Sequence, residues 1–421
     1  MRLGILTSHP IQYQAPWFRA LAGEADVQVF FAHQPGAAQQ GEGFGQSFQW
    51  DVDLLAGYQH TFLKNVSRNP GASHFSGCDA PEIAGIISPN SKLETRNSKL
   101  FDALIVNGWH LKCYWQAVRA CRRAGVPVFV RGDSQLLTPR SRLKTWIKEV
   151  TYRVLLRQFD GFLVVGQRNA AYLAHYGVPA AKMFPVPHFV DNGWFREKAD
   201  IGSKQRAEIR NTWGAGEKDF VALFTGKFIS KKRPADLLQA MVKLKAHLTP
   251  SLSRSDAERV EVKPGEGTNI LAVFVGSGEL EKELRELAAQ ENLRVHFAGF
   301  KNQSELPACY AAADVLVLPS DGGETWGLVV NEAMACGLPA IVSDAVGCAP
   351  DLIEAGRTGF TFPLGDVTAL ADRLSRISKM RQQGWDFSAD LKRKMADYSI
   401  ESAVQGTLKA VSALRPPTSA R

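Results

Sequence analysis

The chain has 421 residues, too many for one ordinary hydrophobic core and enough for two domains of about 200 residues each. Hydrophobic residues make up 45% and charged residues 22%, the balance of a soluble globular protein, and no apolar run reaches the ~18 residues that span a bilayer, so neither a disordered chain nor a helical membrane protein is expected. A net charge of +8 fits an anionic partner, which leaves a nucleotide, an acidic lipid surface or a nucleic acid as classes.

Cys78, Cys113, Cys121, Cys309, Cys336 and Cys348 show no C-x-x-C spacing, which argues against a zinc site or disulfide framework and for a reducing cytosol. Residues 1–10 pass from a single Arg into a short apolar run and a His-Pro break, a pattern that predicts a buried strand over 3–7 and not a signal peptide. The loop 8–14 leaves the C-terminal end of that strand and brings His9 and Gln12 to a crevice edge; a loop-capping His is the alternative. Pro16 suits the first turn of a helix to about residue 22, and 27–32 predicts the second strand. Residues 34–100 are rich in Gly, Ser and Asn with little periodicity, which suits loops and short hairpins. Asp51-Val52-Asp53 imitates a D-x-D metal motif but has no second acidic cluster, so no metal is expected there. Asn65-Val66-Ser67 matches a glycosylation sequon, which matters only in a secreted chain.

A strand over 103–106 ends at Asn107-Gly108-Trp109-His110, and one over 128–130 ends at Arg131-Gly132-Asp133-Ser134. Both tips are expected to face the same crevice, and His110 and Asp133 weigh evenly between functional and structural roles. Over 138–159, Leu143, Trp146, Ile147, Val150 and Val154 share one helical face flanked by Arg140, Arg142, Lys144, Lys148, Arg153 and Arg157. That stripe suits either a crossover helix packed on the sheet or a helix lying on an anionic membrane. A strand over 161–165 and the segment 186–192 close the first half, and the polar stretch 196–218 reads as a linker.

In the second half, a strand over 221–225 runs into Gly226-Lys227-Phe228-Ile229-Ser230-Lys231-Lys232-Arg233-Pro234, a basic turn ahead of a helix to about residue 240. Residues 249–269 form a polar insertion, 271–275 a strand with a tight turn at Gly276-Ser277-Gly278, and 295–300 another strand ending at Phe300. Its lone G-x-G is weak support for a dinucleotide. The most informative stretch is 313–344: a strand over 315–318, a break at 319–323, a helix from about 326 to 336 stopped by Gly337 and Pro339, and a strand over 340–342. The N–H groups of Gly327, Leu328 and Val329 are expected to point at the crevice and favour an anion. Glu332 falls about five residues inside the helix, roughly 7–8 Å along its axis. A diphosphate on the helix tip would bring an attached ribose to Glu332, whose carboxylate suits a vicinal diol, while Glu324 suits hydroxyls beyond the phosphates. Residues 359–363, a helix from about 367 and an amphipathic stretch over 399–414 complete the chain.

Glu324, seven intervening residues, Glu332 and the following Ala333-Met334-Ala335-Cys336-Gly337-Leu338-Pro339 resemble the E-x7-E signature of retaining GT-B glycosyltransferases, family 4 (group 1). The resemblance implies an α/β fold, GT-B, of two Rossmann-like domains with parallel sheets facing a central cleft. Its boundaries here are an acceptor domain over 1–195, a linker over 196–218, a nucleotide-sugar domain over 219–395, and a helix and tail over 396–421 returning to the first domain. It implies a nucleoside-diphosphate sugar held by Gly226, Lys227, Lys232, Gly276, Phe300, Glu324, Thr325, Trp326, Gly327, Leu328, Val329 and Glu332, with the end of 295–300 against the base. The basic turn resembles the family's G-R-x4-K-G segment, with Lys227 where Arg is usual and Arg233 where Gly is usual. Lys227 and Lys232 would neutralise the diphosphate leaving group, and Glu324 would orient the sugar. A His or Asp near the transferred sugar is usual; its position falls on Asn107, and His110 is the alternative catalytic candidate. The glycine-rich loop usual after strand one is replaced by His9-Pro10-Ile11-Gln12-Tyr13, so the acceptor-side candidates His9, Gln12, Asn107, Trp109, Arg131 and Asp133 rest on position alone.

The implied activity is retaining, metal-independent and cofactor-free sugar transfer to a saccharide or lipid-linked acceptor, in cell-surface polysaccharide or glycolipid synthesis. It would run in the cytoplasm, at the inner face of the membrane if 138–159 docks there. A nucleotide-sugar epimerase of the same fold and a non-catalytic nucleotide-sugar binding protein are the alternatives. A nucleic-acid partner is not expected, because the cations are dispersed.

Overall fold

A computed structural model describes residues 1–88, 100–248 and 269–414. All of the expected insertion over 249–269 except Asn269, and the C-terminal tail from 415, lie outside the described residues. The chain divides into two compact units, one of Met1–Gly41, Ser47–Asp191 and Asp397–Arg421, the other of Glu42–Gln46 and Asn192–Ala396.

The first unit holds β1 (Arg2–Thr7), β2 (Asp26–Phe31), β3 (Gln59–Phe62), β4 (Ala103–Val106), β5 (Val128–Gly132), β6 (Gly161–Val164) and β7 (Met183–Pro185). They form one parallel sheet in the order β3-β2-β1-β4-β5-β6-β7. Alternation along each strand sends its side chains to opposite faces, so both faces need a cover. Leu3, Ile5, Ala103 and Ile105 pack on Trp17, Phe18 and Leu21 of the helix Ala15–Glu24 and on Ala403, Val404 and Ala410 of the helix Ile400–Ala413. Leu6, Leu104 and Val106 pack on Tyr114, Ala117 and Cys121 of the helix Lys112–Ala124. The final helix thus lies in the first unit, its start capped by Ser399, whose Oγ accepts from Ser402 N at 3.2 Å. Within the stretch expected to form loops and hairpins, residues 59–62 instead extend the sheet in parallel, with Gln59 opposite Gln28. Asp53 shapes a turn there, accepting from Leu55 N and Ala56 N at 2.9 and 3.0 Å.

The second unit holds β8 (Phe220–Thr225), β9 (Ile270–Val275), β10 (Val295–Gly299), β11 (Val315–Leu318), β12 (Ala340–Ser343) and β13 (Gly359–Phe362), parallel in the order β10-β9-β8-β11-β12-β13. Each sheet therefore reverses its order once, between β1 and β4 in one and between β8 and β11 in the other. Such a switch point leaves a crevice at the strand C-termini, where ligands bind. Residues 196–218, expected as a linker, lie mostly in the helices Asn192–Ser203 and Arg206–Thr212 of this unit. The cations that made the stretch look solvated grip Asp314 instead: Arg206 Nη2 and Arg210 Nη1 donate to its two oxygens at 2.7 and 3.1 Å. Asp314 in turn accepts from Val221 N at 2.8 Å, which fastens these helices to β8.

Candidate active site

The switch point of the second unit is built from the turns after β8 and β11. Gly327 stands at φ 97°, a conformation that suits glycine, and a Cβ there would meet Leu318 Cδ2 at 2.9 Å. It starts the helix Leu328–Ala335 two residues later than the periodicity predicted, because Trp326 is buried in the turn with its indole N–H on Asn331 Oδ1 at 2.8 Å. The first N–H groups of the helix have no partner within it and carry the positive end of its dipole. The turn ahead of it is braced on both sides. Asp321 N donates to Lys231 O at 2.9 Å and Gly347 N to Glu324 O at 3.0 Å, while Cys348 N donates to Trp326 O at 3.0 Å. Only a glycine fits at 347, since a Cβ there would stand 1.7 Å from Thr325 O.

Two acids flank the helix tip, as the spacing predicted, and they differ in chemistry. Glu324 is ion-paired with Lys232, both side chains being largely enclosed. Glu332 is buried and accepts from the Tyr310 hydroxyl at 2.6 Å. Burial pushes the Glu332 carboxyl up to about 7, against the opposing pull of Tyr310 and Lys232. Tyr310, buried and held protonated, escaped sequence reading: it lies 22 positions upstream on the helix Leu306–Ala312, and no local pattern ties it to Glu332.

Lys227 lies apart from that ion pair. Its Nζ donates to Glu42 O and stands 5.0 Å from the centroid of the Phe44 ring, and desolvation lowers its pKa. Phe44 meets Phe300 edge-on at 5.0 Å, and its carbonyl accepts from Ser277 Oγ at 2.6 Å. The segment Glu42–Gln46 therefore joins the ends of β8 and β9 to Phe300, an arrangement with no periodic signal. Gly226 and Gly276 interlock: a Cβ on Gly276 would meet Gly226 O at 2.0 Å, so two backbones pass where a side chain would block them. Arg233, where the family has Gly, adopts φ 50° and clasps Asp236 through Nε and Nη2 at 2.8 and 3.0 Å. The left-handed backbone explains the usual glycine, and the bidentate pair holds Arg in its stead.

In the first unit the candidates separate. Asn107 Nδ2 donates to Gln14 Oε1 at 3.2 Å and Thr7 Oγ1 donates to the same oxygen at 3.1 Å, so Gln14, which sequence reading missed, ties the ends of β1 and β4 together. His9 Nδ1 lies 2.9 Å from Ser8 Oγ, and burial beside His33 pushes its pKa down to about 4. Gln12 sits in the turn whose Ile11 carbonyl accepts from Gln14 N and Ala15 N. His110 is exposed, its ring edge-on to Tyr114 at 5.9 Å. Asp133 is half-buried after β5. Trp109 and Arg131 make packing contacts. Trp109 stacks on Tyr172 at 6.3 Å, and Arg131 is buried over Trp17 and Phe189 with Nη2 on Pro187 O at 3.2 Å.

With that geometry in hand, residues 205–401 match the model of the glycosyl transferases group 1, and residues 10–188 match that of a glycosyl transferase 4-like domain. The chain belongs to the group 1, or family 4, glycosyltransferases. Over 251 residues it is 30% identical to D-inositol 3-phosphate glycosyltransferase of Salinispora arenicola, covering 58% of this chain and 53% of that one. Over 114 residues it is 39% identical to the putative colanic acid biosynthesis glycosyltransferase WcaL of Salmonella typhimurium, covering 25% and 28%. The chain thus spans about half or less of these curated relatives. Anabaena HepE in complex with UDP superposes with a TM-score of 0.68 at 16% identity, over 98% of this chain and 100% of that one. A glycosyltransferase of Rickettsia africae does so with 0.70 at 13% identity, over 98% and 99%. At such identity the likeness establishes the fold, and the two parallel-sheet units are those of a GT-B glycosyltransferase.

Proposed function

We propose that this group 1 glycosyltransferase moves a sugar, with retention of anomeric configuration, from a nucleoside-diphosphate sugar to a saccharide or lipid-linked acceptor. The observation that carries the reading is the helix tip at Gly327 with Lys232–Glu324 before it and the buried Glu332–Tyr310 pair behind it. The donor diphosphate sits on the Gly327, Leu328 and Val329 amides, where the helix dipole and Lys232 meet its charge. Lys232 then exchanges its carboxylate partner for phosphate oxygens, which frees Glu324 to accept hydroxyls of the sugar. Ionised Glu332 accepts both ribose hydroxyls, and Phe300 borders the base. As the sugar leaves, negative charge grows on the bridging phosphate oxygen, and the amides with Lys232 and Lys227 stabilise it more in the transition state than in the ground state. Because cations of the chain take that charge, turnover is expected to survive a chelator. Anabaena HepE, a protein of the same fold, binds UDP-glucose, which supports a donor of this class.

The test is a thermal-shift screen against a panel of nucleotide sugars, followed by transfer assays in which the anomeric proton of the product is read by NMR. A donor that raises the melting temperature and yields an α-product from an α-donor supports the reading. Conversion of the sugar without any acceptor would replace it by epimerisation, and tight nucleotide binding without turnover would leave a binding protein.

A further inference from the structure

The helix Arg142–Leu155 and the loop ahead of it are turned inside out. This helix connects β5 to β6, and a crossover helix of a parallel sheet ordinarily buries its apolar stripe. Here Leu143, Trp146, Ile147, Val150 and Val154 are 67, 66, 46, 57 and 59% exposed. Leu136 and Leu137, in the loop before the helix, are exposed as well. The opposite face is the one that packs. Lys148 lies over the rings of Tyr152 and Tyr172 at 4.5 and 4.9 Å, Tyr152 meets Trp109 and Tyr176, and Glu149 engages His175 at 2.6 Å. Partial burial there lowers the Lys148 ammonium to about 8. Leu156 and Phe159, just beyond the helix, are buried in the core beneath β6.

The contiguous apolar stripe is bordered by cations on both sides: by helical geometry Lys144 flanks one edge and Arg142 and Arg153 the other. Residues 138–159 contain six Lys and Arg and one acid, Glu149, which is paired on the inward side. A second copy of the chain would set like charges edge to edge, so self-association is disfavoured. An apolar centre with a cationic rim fits a bilayer carrying anionic headgroups, whose acyl region takes the Leu, Trp, Ile and Val side chains while the rim meets phosphates. Among the described residues no helix is long and apolar enough to cross a membrane, so the contact is interfacial.

We propose that the helix Arg142–Leu155 docks the first unit onto an anionic lipid surface, apolar face inward. Docking would hold the chain at the layer where lipid-linked acceptors lie. The inference stands apart from the donor site, since it rests on a surface whose residues take no part in nucleotide-sugar binding.

The experiment is co-sedimentation of the full chain with phosphatidylcholine vesicles, with and without phosphatidylglycerol, alongside the double variant Trp146→Glu, Val150→Glu. Wild-type protein is expected to bind the phosphatidylglycerol vesicles, weakly or not at all the neutral ones, and less at high salt. The double variant is expected to lose about ten-fold or more of that binding while keeping its melting temperature, since neither side chain is buried. Absence of binding to anionic vesicles at low salt would overturn the proposal, as would equal binding by the variant. A concentration-dependent dimer abolished by the same substitutions, with no vesicle binding, would assign the face to a second copy and overturn it too.

Discussion

The two switch points share a topology and differ in what fills them. After β8 and β11 the chain assembles polar groups already engaged with one another: Lys232 with Glu324, Tyr310 with Glu332, and a backbone brace at Gly347. At the ends of β1, β4 and β5 the candidates are dispersed, and two of them, Trp109 and Arg131, pack against aromatic rings. Trp109, partly buried, stacks on Tyr172 and Arg131 is buried over Trp17 and Phe189, while Asn107 and Gln14 knit strand ends together.

Substitutions that break this contrast rank by size. Glu324→Gln is expected to cut transfer about 10^3-fold or more with a smaller effect on melting temperature, because the amide still offers the enclosed Lys232 an acceptor while the carboxylate charge is lost from the proposed reacting centre. Trp109→Ala in the first unit should do the reverse, destabilising by about 3 kcal/mol in denaturant melts while leaving donor affinity intact. A catalytic loss from Trp109→Ala without loss of stability would erase the distinction. Gly347→Ala joins the two effects, since a Cβ 1.7 Å from Thr325 O must displace the brace; we expect weaker donor binding and about 2 kcal/mol of destabilisation.

Glu332→Gln sharpens the comparison through pH. The carboxyl titrates near 4.5 in an unfolded chain and about 7 in the fold, so below 4.5 it is neutral in both states and costs nothing. As pH rises toward 7 the unfolded state ionises first, and the wild type loses stability that the variant keeps. The variant should therefore melt several degrees higher than wild type at pH 8 and similarly at pH 4. Wild-type donor affinity should rise from pH 6 to pH 8 as Glu332 ionises, whereas the variant should be flat and roughly ten-fold weaker at the upper end. Arg233→Gly, the smallest effect, trades relief of a left-handed backbone against the Asp236 pair, and should shift stability by about 1 kcal/mol or less.

Local pattern carried the strands and the turn and helix that follow β11. The apolar runs at 315–318 and 340–342 and the eight-residue step from Glu324 to Glu332 are short-range features that survive folding unchanged. What escaped was long-range. Periodicity says which residues of 142–155 share a face but not which way that face turns, and aromatic rings at Tyr152 and Tyr172 decided it. The charged stretch 196–218 looked like a solvated linker because the partner of Arg206 and Arg210, Asp314, lies about a hundred positions on. Strand β3 hid in a polar, aperiodic stretch because an edge strand needs little apolar signal.

The most direct measurement is a crystal structure of the full chain soaked with a nucleoside diphosphate. The helix-tip assignment requires the diphosphate on the amides of Gly327, Leu328 and Val329, within reach of Lys232, and the ribose hydroxyls on Glu332. Density for the nucleotide at any other site, with Lys232 still closed on Glu324, would contradict it.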